Sequence, residues 1–326
     1  MKQCLIPLED ETGWAEALEG VPHAFAHRND HCRAFAASSG LPTHLYAAEF
    51  DGVRVACPLS VRTFMGERDV VTPYGFAGFT SSGPAPGFAG VWRQFAAAQG
   101  WVCGYLQNNP LLPDPLSEEP GEEATELFVL DLSRSDQDLL SAMSPSRRRQ
   151  LRRGDDFAIG PAGPGAVEFL IEEGAEFFET RQASSIYRFC ETTWRGIMAS
   201  EALTALEARR DGAIVAVTLL GAAGGVGDYL FNVSRPGGQE ASAPLLWQGV
   251  LRLKGAGVRW LNLGGGIRPG DAVAEFKRRF GAATAPMVVR KQVYRPEAFG
   301  RLCAKAGVEA NAEPGYFPSY YASGRR

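Results

Sequence analysis

Lys277 follows a strand, three glycines and an aspartate in the segment LNLGGGIRPGDAVAEFKRRFGA, residues 261–282. Residues 258–263 are rich in apolar and β-favouring types and predict a strand. Gly264, Gly265 and Gly266 then allow positive φ and let backbone N–H groups come close to another molecule. Asp271 is placed to cap a helix over residues 272–280, which Gly281 would end. On that helix Val273, Phe276 and Phe280 fall on one apolar face, with Lys277 at its edge. An ammonium at the rim of an apolar cleft can stabilise developing negative charge, with the glycine N–H groups as neutral donors. No general base is evident. Asp271 is the nearest candidate, and its capping position offers it a structural role instead. The same pattern suits a plain strand–turn–helix connector with a surface lysine, and spacing leaves both open.

Other residues carry weaker signals. SRRRQLRR places Arg147, Arg148, Arg149, Arg152 and Arg153 within about two helical turns. That run can bind phosphates or form a solvated face beside the acidic stretch 108–123. Arg278 and Arg279, with Arg290 and Lys291 soon after, make a second basic cluster. His23, His27 and His31 are spaced by four beside Cys32. One continuous helix would align them for Zn²⁺. Pro22 and the turn-like RND break such a helix, so substrate contact or a helix surface fits better and no metal is expected. Tyr74, with Gly75 in the loop TPYGFAGF, either lines a pocket or plugs the space beneath the loop. Trp194 and Tyr187 read as core residues.

The elements that would hold these residues form an α/β plan that occurs twice. In the first half a helix over 25–38 precedes strands 45–50 and 54–62, turned by Asp51–Gly52. The Gly/Pro/aromatic loop 70–87, a helix over 91–100 and a strand over 101–107 follow. Residues 108–123 read as an exposed proline-rich loop and 126–132 as a strand. The second half begins with one long helix over 176–199. Strands 204–210 and 213–221 are turned by Asp211–Gly212, and a third covers 227–234. Helix 245–255 and strand 258–263 lead into the glycine loop, and the C-terminal tail returns as a helix.

Composition bounds what such a chain can be. Its 326 residues allow two domains, and 45% hydrophobic with 21% charged residues suits a packed soluble protein. A net charge of −4 argues against a surface wholly committed to nucleic acid, though not against a local basic patch. Six scattered cysteines without a CxxC pair suggest reduced thiols and a cytoplasmic setting. No stretch has the length of a membrane span or a signal peptide.

The order RDGAIVAVTLLG, DYLFNVSRPGG, LLWQGVLRLKGAGVRWLNLGGG, Asp271 and FKRRF resembles the second domain of FemABX-like acyltransferases of the GNAT superfamily. TPYGFAGF and SPSRRRQLRR are similar to the first-domain pocket loop and the inter-domain junction of the same family. The resemblance implies two tandem GNAT-like domains (the acyl-CoA N-acyltransferase fold) facing a shared cleft. Residues 1–155 would take the acceptor, and 156–326 the donor end and Lys277. It also implies transfer of an acyl or aminoacyl group onto an amine. Lys277 matches the lysine credited with stabilising the charged tetrahedral state, and Phe276 its partner. Gly264, Gly265 and Gly266 match the post-strand loop; Tyr74 and Gly75 match the acceptor loop. Within the basic run itself, Arg148, Arg149 and Arg152 are the candidates for substrate phosphates.

The family's best-known donor is an aminoacyl-tRNA, bound by its acceptor end, but the helical arm some relatives use for RNA is absent. The alternative donor, acyl-CoA, would be cradled at Gly237 and Gly238 before helix 245–255. Glu240 opposes a pyrophosphate there, and the usual basic residue with Gly-x-Gly is lacking. The donor is a substrate in either case, so no cofactor is expected. The acceptor is an amine on a peptide, an amino sugar or a small molecule. A catalytically silent GNAT-like binding module is a third reading, which the intact FK lysine opposes.

Overall fold

Residues 2–180, 188–266, 270–310 and 316–325 are described by the computed structural model. The N-terminal half begins with β1 (Lys2–Pro7), α1 (Glu11–Leu18) and α2 (Asn29–Ser39). Next come β2 (Thr43–Phe50), β3 (Val53–Phe64), β4 (Glu67–Val71) and the short β5 (Thr80–Ser81). They are followed by α3 (Phe88–Ala98), β6 (Cys103–Gln107) and β7 (Glu122–Asp131). Two short helices, α4 (Asp136–Ala142) and α5 (Pro145–Leu151), carry the chain into the second half.

That half runs β8 (Ala158–Pro161), α6 (Gly165–Thr180), α7 (Glu191–Met198), β9 (Leu203–Arg210), β10 (Ala213–Ala223) and β11 (Val226–Ser234). It ends with α8 (Ser242–Gly255), β12 (Trp260–Asn262), α9 (Ala272–Arg278), β13 (Ala283–Val293) and α10 (Pro296–Ala306).

Both Asp–Gly hairpins form. Asp51 and Gly52 have φ of 49° and 78°, Asp211 and Gly212 have 52° and 81°, the left-handed pair that matches the twist of the strands they join. β2 therefore pairs antiparallel with β3 and β9 with β10. The described strands make one sheet in the order β1-β2-β3-β4-β6-β13-β7-β12-β11-β10-β9-β8, with β5 beside β3. β13 lies between β6 and β7, so a strand near the C-terminus completes the sheet of the first half.

Two pairs are parallel, β4 with β6 and β11 with β12. Each is short. β12 pairs only at Trp260, Leu261 and Asn262, while β11 runs on to Ser234 beside β10. The sheet forks there, and the glycine loop leaves from the fork.

Two expectations need correction. The segment 176–199 is not one helix. α6 ends at Thr180 and α7 starts at Glu191, with Cys190 extended at ψ 165°; Tyr187 lies outside the described residues. The stretch 108–123 is not simply exposed, because Asn109, Leu112 and Leu116 are buried and Asp114 pairs with buried Arg290 at 2.9 Å. Its polar composition is spent on anchoring it.

An aromatic cluster joins the halves. Phe35 of α2 lies 4.5 Å from Tyr74, 5.2 Å from Phe189 and 6.2 Å from Phe231 of β11, between ring centroids. Phe25 and Trp194 belong to the same core. Phe35→Ala should lower the unfolding free energy by about 3–5 kcal/mol in urea denaturation. A loss below about 1 kcal/mol would show that the cluster does not hold the halves together.

Candidate active site

Strand alternation decides what β12 offers. Leu261 and Leu263 enter the core with Leu253 and Val258, so Asn262 faces the other way. Its Oδ1 accepts the Gly264 N–H at 2.8 Å, and the Gly264 carbonyl accepts the Phe128 N–H at 3.1 Å. Gly264 has φ 76°, and a Cβ there would stand 3.1 Å from Lys277 Nζ and 3.4 Å from Phe76 Cζ. A Cβ on Gly265 would stand 2.9 Å from the Glu126 carbonyl oxygen. These glycines are required by close approach. Gly266 follows half-buried.

Asp271 caps α9, its Oδ1 accepting the Ala274 N–H at 2.8 Å. The helix is as expected, but its faces differ from the expectation. Lys277 is buried at 7% exposure, whereas Val273 is exposed. Lys277 Nζ donates to the Gly265 carbonyl at 2.5 Å. Among the described residues no carboxylate forms an ion pair with it. Burial lowers its pKa to about 8, partly opposed by the charge of Asp271. The side chain predicted at a rim is therefore an inward ammonium, folded over the glycine loop.

The arginine run divides. Arg147 is buried, stacked 4.2 Å over the Phe276 ring and 4.5 Å over Phe280, and donates to the Phe276 carbonyl at 2.7 Å. Burial brings its pKa down to about 10, with Arg279 adding to the shift. It bolts α5 to α9, and Phe276 is its platform. Arg148 donates to the Met143 and Ser141 carbonyls at 2.7 and 3.1 Å, closing the end of α4. Arg153 pairs with Glu240. Arg149 and Arg152 are exposed and without an ion pair among the described residues. The second basic cluster is neutralised: Arg278 and Arg279 hold Glu275, Arg290 holds Asp114 and Lys291 holds Glu122.

The N-terminal half supplies the facing loop. Tyr74 stacks on Phe35 and, at 9° between planes, on Phe231; it is a half-buried member of the aromatic cluster. Four side chains capture the carbonyls of its loop. His31 Nε2 donates to Tyr74 at 2.8 Å and Gln107 Nε2 to Gly75. Asn109 Nδ2 donates to Phe76 at 2.7 Å and His27 Nε2 to Gly78 at 3.0 Å. Burial pushes His31 down to about 4 and His27 down to about 3, so both are neutral pegs. This corrects the reading of these histidines as helix surface, and among the described residues no cluster of His, Cys, Asp and Glu could hold a metal. The pegs set Phe76 against Gly264, beside Lys277.

The pegs escaped the sequence reading because each reaches a loop more than 30 residues away in the chain, and Phe76 because it meets Gly264 across the junction of the two halves. The other proposed anion loop is occupied by its own chain. Gly237 N–H donates to Gln239 Oε1 at 2.8 Å and Gly238 N–H to the Arg235 carbonyl at 2.9 Å. A separate open groove of about 900 Å³ between α1, α2 and α7 includes neither the glycine loop nor Lys277.

Among solved structures the chain superposes on FemX with a TM-score of 0.68, covering 92% of this chain and 99% of that one at 10% identity. The chain has the FemABX-like fold of two GNAT-like domains. The same fold relates it to L-PGS from Bacillus licheniformis, with TM-score 0.55, 14% identity and coverage of 87% and 92%. A C-terminal domain (DUF2156) of a putative lysylphosphatidylglycerol synthetase from Agrobacterium fabrum gives TM-score 0.54 at 15% identity, covering 94% and 98%. No protein-family model matches the chain, and no curated protein matches it. Among the described residues no helix is long and apolar enough to cross a membrane. In this FemABX-like frame Lys277 lies where a loop from each half meets the other.

Removing a buried ammonium from this junction changes stability in a defined direction. The folded pKa of Lys277 is about 8 against an ordinary 10.5, so between those values the unfolded chain binds more protons and stability rises with pH. Below about pH 8 the full penalty is present. Lys277→Met should therefore be more stable than the wild type at pH 7, by about 1–3 kcal/mol after loss of the Gly265 hydrogen bond. The difference should shrink as pH rises from 8 to 10.5. A Met variant that melts lower throughout that range would contradict the buried-ammonium geometry.

Proposed function

We propose that the protein forms amide bonds, moving an aminoacyl or acyl group from an activated ester or thioester to an amine. The observation that carries this reading is Lys277, a desolvated ammonium held by the Gly265 carbonyl and in no ion pair among the described residues. In such a transfer the amine nitrogen attacks the donor carbonyl carbon and a C–N bond forms. The C–O or C–S bond breaks, and one proton moves from the amine to the leaving group. Negative charge develops first on the carbonyl oxygen and then on the departing atom. A fixed cation in a dry site stabilises both, an effect worth about 2.7–4 kcal/mol when one such donor is lost. No enzyme nucleophile is needed. The facing loop with Tyr74, Gly75 and Phe76 would border the acceptor.

The donor favoured is an aminoacyl-tRNA acceptor end. Exposed Arg149 and Arg152 lie beside the buried Arg147–α9 contact with no ion pair among the described residues, available to phosphates. The alternative pyrophosphate cradle has its Gly237 and Gly238 N–H groups already bonded, and the Arg153 and Arg210 cations beside it are already held by Glu240. The name of one solved neighbour, a putative lysylphosphatidylglycerol synthetase, also points to an aminoacyl product.

The test uses an aminoacylating extract with the purified protein and a panel of primary amines. Product should form, RNase should abolish it, and acetyl-CoA should not restore it. Turnover that survives RNase and scales with acyl-CoA would replace this donor by the CoA thioester. Absence of amide product with every donor would favour a binding module.

A further inference from the structure

Asp228 is a buried acid that the transfer chemistry leaves unused. It lies on β11 at the last position paired with β12, opposite Asn262. Oδ1 accepts from Asn262 Nδ2 at 3.1 Å, and Oδ2 is buried with no partner among the described residues. A Cβ on the preceding Gly227 would touch Leu253 and Leu261 beneath α8, so Asp228 points to the opposite face, toward the junction of the two halves.

Among the described residues the elements packed there bring no charge; His27, on the turn that carries Phe25, is neutral and bonded to the Gly78 carbonyl. β10 offers Gly221, over which the Phe25 ring sits, and β12 offers the Asn262 amide. Burial raises the Asp228 pKa to about 7, the Asn262 hydrogen bond working against the rise, and no charged neighbour contributes.

A bonded series leads from this acid to Lys277. Asn262 gives its NH₂ to Asp228 and its Oδ1 to the Gly264 N–H; the next carbonyl, of Gly265, holds Lys277 Nζ. We propose that Asp228 is a positioning residue whose carboxylate fixes the Asn262 amide and, through it, the glycine loop that holds Lys277. A carboxylate only accepts, so Asn262 must turn its NH₂ toward it and its carbonyl toward Gly264. A protonated Asp228 is also a donor, and the polar group beside it is the same amide. The proton then competes with the Gly264 N–H for Asn262 Oδ1, and the orientation is no longer imposed. The ordered loop belongs to the ionised acid.

The effect of this device on turnover rests on the proposed transfer activity, but the device can be read without substrate. In ¹⁵N-glycine-labelled protein the Gly264 amide resonance should show a step with a midpoint near 7, beside the later step that Lys277 imposes near 8, and Asp228→Asn should lose the first and keep the second. A wild-type Gly264 resonance with no step other than the one that Lys277→Met removes overturns the proposal, whether or not the Asp228 variant folds. In turnover, the wild-type kcat should fall on the acid side with the same midpoint, and Asp228→Asn should lack that limb while keeping the acceptor KM. An acid limb that persists unchanged in the variant also overturns it. Failure of the transferase reading alone would leave the Gly264 titration intact.

Discussion

The site depends on one contact, an ammonium drawn out of water onto a backbone carbonyl. Lys277 donates to Gly265, and nothing with a side chain could occupy Gly264 without pressing on Nζ or on the Phe76 ring. The arrangement is costly because the charge is desolvated and forms no ion pair among the described residues. In the proposed transfer that cost is also its use. An ammonium already paired with an acid would have little field left for a developing oxyanion, whereas this one is aimed and dry.

The surrounding fold keeps the contact in place. The β11–β12 fork releases the glycine loop, and Arg147 pins α9 through two aromatic rings and a carbonyl. From the other half, two neutral histidines, Gln107 and Asn109 hold the carbonyls of the facing loop. β13, inserted between β6 and β7, welds the halves into one sheet. These contacts fix the two loops relative to each other, as the proposed transfer requires.

Sequence made the local parts legible. Each Asp–Gly pair announced its hairpin, because few residues tolerate the positive φ that the turn needs. Asp271 was readable as a cap from its position before an apolar-periodic run. The three glycines and Lys277 marked the site, and their resemblance to the FemABX-like FK segment gave the fold. What stayed hidden was long-range. Burial of Lys277 could not be read from α9, since the covering surface comes from the glycine loop and Phe76. The arginine run looked uniform, yet only the tertiary context turns Arg147 inward, bends Arg148 onto α4 and leaves Arg149 and Arg152 outside. Asp228 sits in an ordinary-looking strand, and its isolation arises from Gly221 and Phe25 lying across it.

The central claim is that the charged form of Lys277 drives transfer, and the pH dependence of kcat at saturating acceptor tests it most directly. Wild-type kcat should fall on the alkaline side with a midpoint of about 8. Lys277→Met should have a kcat lower by about 10²-fold or more, with that limb gone. A wild-type profile that stays flat well beyond that midpoint, or a Met variant that keeps both the rate and the limb, would contradict the account.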